Sequence, residues 1–200
     1  MAAFSPQSVA FALVFVFFFA LPSASAQPYP SANQNITIKR LTNMISNYLA
    51  YSQYNAICNV IATDVYAQKD FATVKSDLVN TAMAQLTSAQ YSAVLAKATT
   101  LIFTMGASKL TAAVNTLMTV MSNNLGPFYA QLCAFSKQNQ ARGLKPAVVW
   151  KEQFRLVNSF LSGKRVNTIF SRVAANFPPA DWTKFRNAFS TFFKFSRYGL

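Results

Sequence analysis

The side chains that most often carry out acid–base and metal chemistry are scarce in this chain. It has no histidine, two cysteines and five acidic residues among 200 positions. Histidine is the commonest general base near neutral pH and the commonest transition-metal ligand in proteins. With both cysteines expected in a disulfide, a zinc site would depend on very few carboxylates. We therefore predict that the protein is not an enzyme and that it has no catalytic residue, bound metal or cofactor.

The acidic residues do not form the pattern of a known type of site. Asp70 and Asp77 lie seven positions apart and could share a helix face. An N-cap role for Asp70 and simple solvation of Asp77 account for both residues without catalysis. Together with Asp64, they also lack the close spacing of a calcium-binding loop. No glycine-rich nucleotide-binding motif is present, so the sequence predicts no nucleotide site.

The two cysteines, Cys58 and Cys133, are predicted to form a disulfide. In an oxidising compartment a lone pair of cysteines usually becomes bonded. Such a bridge would stabilise the fold by about 4–5 kcal/mol, because it restricts the unfolded chain. Two free thiols, or a bridge to a second molecule, are the alternatives.

The expectation of an oxidising compartment depends on the beginning of the chain. Residues 9–21 read VAFALVFVFFFAL, which contains no polar side chain, and Pro22 and the small residues Ala24, Ser25 and Ala26 follow. This is the pattern of a secretory signal peptide with its cleavage site, and the run is shorter than the ~20 residues of a membrane-spanning helix. We predict a signal peptide over residues 1–26 and an extracellular, secreted product; an uncleaved anchor is the alternative.

A glycosylation sequon follows shortly after that segment. Asn35-Ile36-Thr37 has the Asn-X-Thr pattern of an acceptor site. It lies at the end of a polar stretch, residues 27–35, which is rich in Pro, Ser and Asn and is predicted to be an extended lead-in. Asn35 is therefore a predicted glycosylation site.

The remaining sequence predicts helices throughout. Apolar residues recur at helical spacing from Ile36 onward, and neither Gly nor Pro interrupts the chain before Gly106. Asp70 is a predicted N-cap, and Thr87 with Gln90 matches a capping box. Residues 123–127 are predicted to end one helix. We predict an all-α fold, an irregular bundle of about six to eight helices forming one domain over residues 36–200.

Positive charge is concentrated in the last third of the chain. The formal net charge is +13, and residues 137–200 hold twelve basic and two acidic residues. This surplus predicts attraction to anionic partners, although charge that merely confers solubility is an alternative.

The last predicted helix combines this charge with aromatic rings. Its apolar residues and its cations together form the predicted lipid-contact residues: Trp182, Phe185, Phe189, Phe192, Phe193, Lys184, Arg186, Lys194 and Arg197. Such a composition is typical of a helix lying in a membrane interface, with rings at the acyl boundary and cations at the headgroups. A stripe of core aromatics beside solvated cations has the same pattern.

The sequence therefore supports two functional hypotheses. The first is a secreted, non-catalytic helical protein that binds lipid, either a fatty-acid-like ligand held within the bundle or an anionic membrane surface. The second is a matrix, coat or interaction protein whose basic face binds acidic glycans or acidic proteins. Nucleic acid is not an expected partner, because secretion and the absence of a nucleic-acid-binding motif argue against it.

Overall fold

The computed structural model describes residues 31–44, 48–161 and 164–195. The described residues form eight α-helices and no strand, which confirms the all-α prediction. The helices are α1 (Ala32–Met44), α2 (Tyr51–Tyr66), α3 (Phe71–Gln85), α4 (Ser88–Met105), α5 (Ala107–Ala141), α6 (Pro146–Leu161), α7 (Lys164–Ala175) and α8 (Pro179–Phe189). Within these ranges, no helix is both long enough and apolar enough to span a bilayer. The predicted signal peptide, residues 1–26, lies outside the described residues.

Local hydrogen bonds start several helices where the sequence predicts. The Asp70 carboxylate accepts a hydrogen bond from the Thr73 N–H at 2.9 Å, so Asp70 is the N-cap of α3. Hydrogen bonds from Thr73 lower the pKa of the Asp70 carboxyl. At α4, the Gln90 N–H donates to Thr87 Oγ1 and the Thr87 N–H donates to Gln90 Oε1, which confirms the capping box.

The predicted break at residues 123–127 is wrong, because α5 continues through it. Pro127 lies inside this 35-residue helix. A proline cannot donate the amide hydrogen bond of a helix interior, and its ring clashes with a Cβ on the preceding residue when that residue is helical. The preceding residue here is Gly126, which has no Cβ, so this clash does not arise. The Phe71 ring then packs beside Gly126, 3.7 Å from the position that a Cβ would occupy.

The start of the first described helix also differs from the prediction. Residues 32–35, assigned to an extended lead-in, already belong to α1. Asn35 is exposed on this helix, whereas Thr37, the third residue of the sequon, is buried and donates to Asn158 Oδ1 at 2.8 Å. Asn158 in turn donates to the Asn33 carbonyl at 2.8 Å. Polar contacts between α1 and α6 therefore fix the first described helix on the bundle.

Helices α2 and α5 are central to the fold, because each packs against several other helices. Helix α2 packs against α1, α3, α5 and α6, while α5 also packs against α4, α6 and α7. The turn after α2 is held on α5 by two side-chain amides, since Gln140 donates to the Tyr66 carbonyl and Gln68 donates to the Cys133 carbonyl. At the other end, α8 packs against α4. The C-terminal third is therefore positioned by α4, α5 and α6.

Candidate lipid-contact site

The two cysteines do not form the predicted disulfide. Both thiols are free: Cys58 is fully buried on α2, and Cys133 is partly exposed on α5. Burial raises the pKa of each thiol, and the Tyr129 hydroxyl lies against Cys133. The Cys58 thiol is enclosed by the core while Cys133 lies at its margin, so the two side chains occupy different environments.

Two of the five acidic residues, Asp64 and Asp77, form ion pairs with Lys69. Lys69 Nζ lies 2.8 Å from Asp64 Oδ1 and 2.7 Å from Asp77 Oδ2. Asp64 is 2% exposed, and this burial raises the pKa of its carboxyl although Lys69 donates to it. The same two carboxylates raise the pKa of Lys69. The arrangement joins the end of α2 to α3, and among the described residues no group of three acids or cysteines is placed to hold a metal ion.

The predicted lipid-contact aromatics are found in the core. Phe185, Phe189, Phe192 and Phe193 are each 2% exposed, and Trp182 is partly exposed. Their rings extend across the fold, since Phe192 packs edge-on against Tyr48 at 4.6 Å and Phe193 lies 4.6 Å from Phe170. The structure therefore places the four phenylalanines in the core, and Trp182 alone of the predicted aromatics keeps part of its surface exposed. The predicted helical spacing holds as far as Phe189, where α8 ends, whereas Phe192 and Phe193 follow in the turn after it. The stripe faces the bundle, where α8 packs against α4 and Phe193 lies against Phe170 of α7.

The predicted cations of the last helix are at the surface. Lys184 is exposed, while Arg186 and Lys194 are partly exposed; Arg197 lies outside the described residues. Lys184 Nζ donates to the Thr104 carbonyl at 3.1 Å and lies 3.9 Å from Asp181 Oδ1. Lys109 Nζ, at the start of α5, lies 4.0 Å from the other oxygen of Asp181. Two lysines from different helices therefore meet at the junction of α4 and α5.

One exposed ring at this junction is absent from the predicted site. Phe103 is 85% exposed, far more than the other large exposed hydrophobic residues of the described ranges. It directly precedes Thr104, whose carbonyl accepts the hydrogen bond from Lys184. The buried residues of α4 are Val94, Ala98, Leu101 and Met105, and Phe103 lies off that stripe. We call Phe103, Lys109 and Lys184 the Phe103 corner.

The comparisons with known proteins identify a family. A family model described as uncharacterized protein B0228.1-like matches residues 9–189, and the chain therefore belongs to that family. No curated protein and no solved structure matches the chain.

The phenylalanines of the core and of the corner are expected to respond differently to truncation. Phe189→Ala should lower the free energy of unfolding by about 3–5 kcal/mol, because it removes a buried ring and leaves a cavity. Phe103→Ala should change it by less than about 0.5 kcal/mol, because that ring is solvated. Urea unfolding followed by circular dichroism measures both values. Equal losses in the two variants would contradict this placement of the rings.

Because Lys69 neutralises the buried Asp64 carboxylate, we expect the stability of a variant without this lysine to depend on pH. Lys69→Met should destabilise the fold by about 3 kcal/mol at pH 7, because a buried carboxylate then lacks its cation. In that variant the folded-state pKa of Asp64 lies above its unfolded value, so stability should be recovered as the pH falls through that raised pKa. Thermal unfolding between pH 4 and pH 8 tests this.

The matched control combines Lys69→Met with Asp64→Asn, which removes the buried charge as well as its partner. The double variant should be more stable than Lys69→Met at pH 7 and should lose its pH-dependent recovery. A Lys69→Met variant as stable as the parent at every pH would show that the ion pair contributes nothing.

Proposed function

We propose that this member of the B0228.1-like family is a secreted, non-catalytic helical protein that binds the anionic surface of a lipid membrane through the Phe103 corner. The observation that carries the proposal is the 85% exposure of Phe103, the residue before Thr104, whose carbonyl accepts a hydrogen bond from Lys184. A solvated phenylalanine ring is unfavourable in water and gains up to about 3 kcal/mol when it is buried in an apolar phase. Lysines beside it supply attraction to anionic headgroups.

The geometry of the corner suits a shallow contact with a bilayer. Phe103 lies near the end of α4, and Lys109 lies in the first turn of α5, which follows Gly106. Gly106 has a φ of +87°, a conformation that glycine adopts readily, and its N–H still closes the last turn of α4. Both helices therefore approach the same corner at their ends. An exposed ring at a helix end, with cations on the same helix junction, is the combination expected of an interfacial contact.

The charge of the whole chain supports the choice of an anionic surface. A net charge of +13 raises the local concentration of anionic partners around the protein. The exposed side chains of Lys109 and Lys184 keep 66% and 46% of their surface in solvent, so they can reach headgroups without unfolding. Asp181, the acid between them, is 7% exposed and stays behind the lysines.

Acidic glycans are the competing partner, and a separate group of cations favours them. Five exposed basic residues lie at the end of α5, in the connection after it and on α6: Lys137, Arg142, Lys145, Lys151 and Arg155. Lys109 and Lys137 are separated by 28 residues of one helix, which corresponds to about 40 Å. The two cationic regions can therefore be altered independently, which makes the alternatives separable by mutation.

Binding to vesicles should depend on the Phe103 corner. With vesicles of phosphatidylcholine and phosphatidylserine, Phe103→Ser should weaken co-sedimentation at least about tenfold, since the ring contributes about 1.5–3 kcal/mol. Lys109→Gln with Lys184→Gln should weaken it roughly thirtyfold, because each lysine contributes about 1 kcal/mol. Vesicles of phosphatidylcholine alone should bind all of these proteins weakly.

Two matched variants control for loss of apolar surface and loss of charge. Val148→Ser removes another exposed apolar side chain, and Lys137→Gln with Lys145→Gln removes two cations at the opposite end of α5. Both should bind vesicles like the parent. If Phe103→Ser binds normally while the Lys137 and Lys145 variant loses both vesicle and heparin binding, the glycan alternative replaces the proposal.

A further inference from the structure

We infer that the groove between α5, α6 and α7 is a binding site for a small single-chain carboxylate, that is, a fatty-acid-class amphiphile. The groove has a volume of about 290 Å³. This equals about ten water molecules, close to the lower limit of small-molecule pockets. It is lined by side chains from all three helices: Pro127, Phe128, Gln131, Phe160, Ile169 and Arg172, with Asn124 and Thr168 at its margin.

The floor of the groove is apolar and rigid. Phe128 and Phe160 stack with their ring centroids 4.1 Å apart, which fixes α5 against α6. Phe160 and Ile169 are 6% and 4% exposed, so they belong to the core on which a ligand would lie. Pro127 adds an apolar ring to the floor and has no backbone N–H. An alkyl chain gains from burial on such a surface, and no polar ligand group would find a partner there.

The rim of the groove supplies one fixed cation. Arg172 Nη1 donates to Asn124 Oδ1 at 2.7 Å, which holds the guanidinium across from α5. All five acidic side chains lie in the described part of the chain, and none of their ion pairs involves Arg172. A guanidinium has five N–H donors in a planar fork that matches a carboxylate. The Gln131 side chain offers a further amide near the opening.

Charge and size together select the class of ligand. A single arginine balances one negative charge, which fits a monocarboxylate, whereas a phosphate monoester would bring close to two. A two-chain membrane lipid is too large for about 290 Å³. The site is separate from the Phe103 corner and does not depend on membrane binding. The proposed occupant is therefore one alkyl chain on the aromatic floor, with its carboxylate at Arg172.

Calorimetric titration of the full-length secreted protein with sodium decanoate, below its micelle concentration, tests the assignment. Decanoate should bind saturably and at least tenfold more tightly than decanol, its uncharged analogue. Arg172→Gln should weaken decanoate binding at least tenfold and abolish the preference over decanol. Gln131→Trp, which fills the opening from an exposed position, should abolish binding of both compounds.

Two variants outside the groove serve as controls. Arg155→Gln removes another exposed arginine, and Ala112→Trp places a large ring at a distant exposed position of α5. Both should bind decanoate like the parent. The proposal is overturned if decanoate does not bind, if decanol binds as tightly, or if Arg172→Gln or Gln131→Trp binds like the parent while its melting temperature is unchanged.

The vesicle assay distinguishes failure of this site from failure of the membrane contact. The Arg172→Gln and Gln131→Trp variants should co-sediment with anionic vesicles like the parent, and Phe103→Ser should bind decanoate like the parent. Loss of decanoate binding on Phe103→Ser would instead assign the ligand to the corner and overturn the groove.

Discussion

Burial of the aromatic side chains of the C-terminal third determines which groups this protein presents to its surroundings. Phe185, Phe189, Phe192 and Phe193 are almost fully enclosed, and their rings contact one another or aromatic rings from the segment before α2 and from α7. Each such ring removes a large apolar area from water, so the group stabilises the bundle by hydrophobic burial. The lysines and arginines between these rings are thereby directed outward. Packing in this region produces the basic surface and excludes the aromatic stripe from it.

Several features of the fold could be predicted from local sequence, because short-range hydrogen bonds decide them. Asp70 and the Thr87–Gln90 pair form the caps that their spacing predicts, and the apolar periodicity identifies an all-α bundle. The course of α5 could not be predicted from Pro127 alone, since a glycine before the proline removes one of the steric clashes that disfavour a helix there. The disulfide prediction failed for a different reason: the expected compartment says nothing about where two side chains lie.

The candidate site was harder to predict than the fold. A helical period shows that residues share a face, but it does not show whether protein or lipid covers that face. Phe192 and Phe193 became core residues because Tyr48 and Phe170, distant in sequence, pack on them. Phe103 did leave a local signal, because it is a large apolar residue outside the buried stripe of α4. Large apolar residues that fall off the stripe of an amphipathic helix therefore identify exposed apolar surface more directly than the stripe itself.

We propose that Phe103, and not the aromatic group around Trp182, enters the membrane. Fluorescence quenching by brominated acyl chains in anionic vesicles measures this directly. Phe103→Trp would be made with Trp150→Phe and Trp182→Phe, so that one indole reports on the corner, and Trp150→Phe alone would leave Trp182 as the reporter of the C-terminal group. We expect quenching and a blue shift for the indole introduced at the corner and no quenching of Trp182. Quenching of Trp182 without quenching at the corner would contradict it.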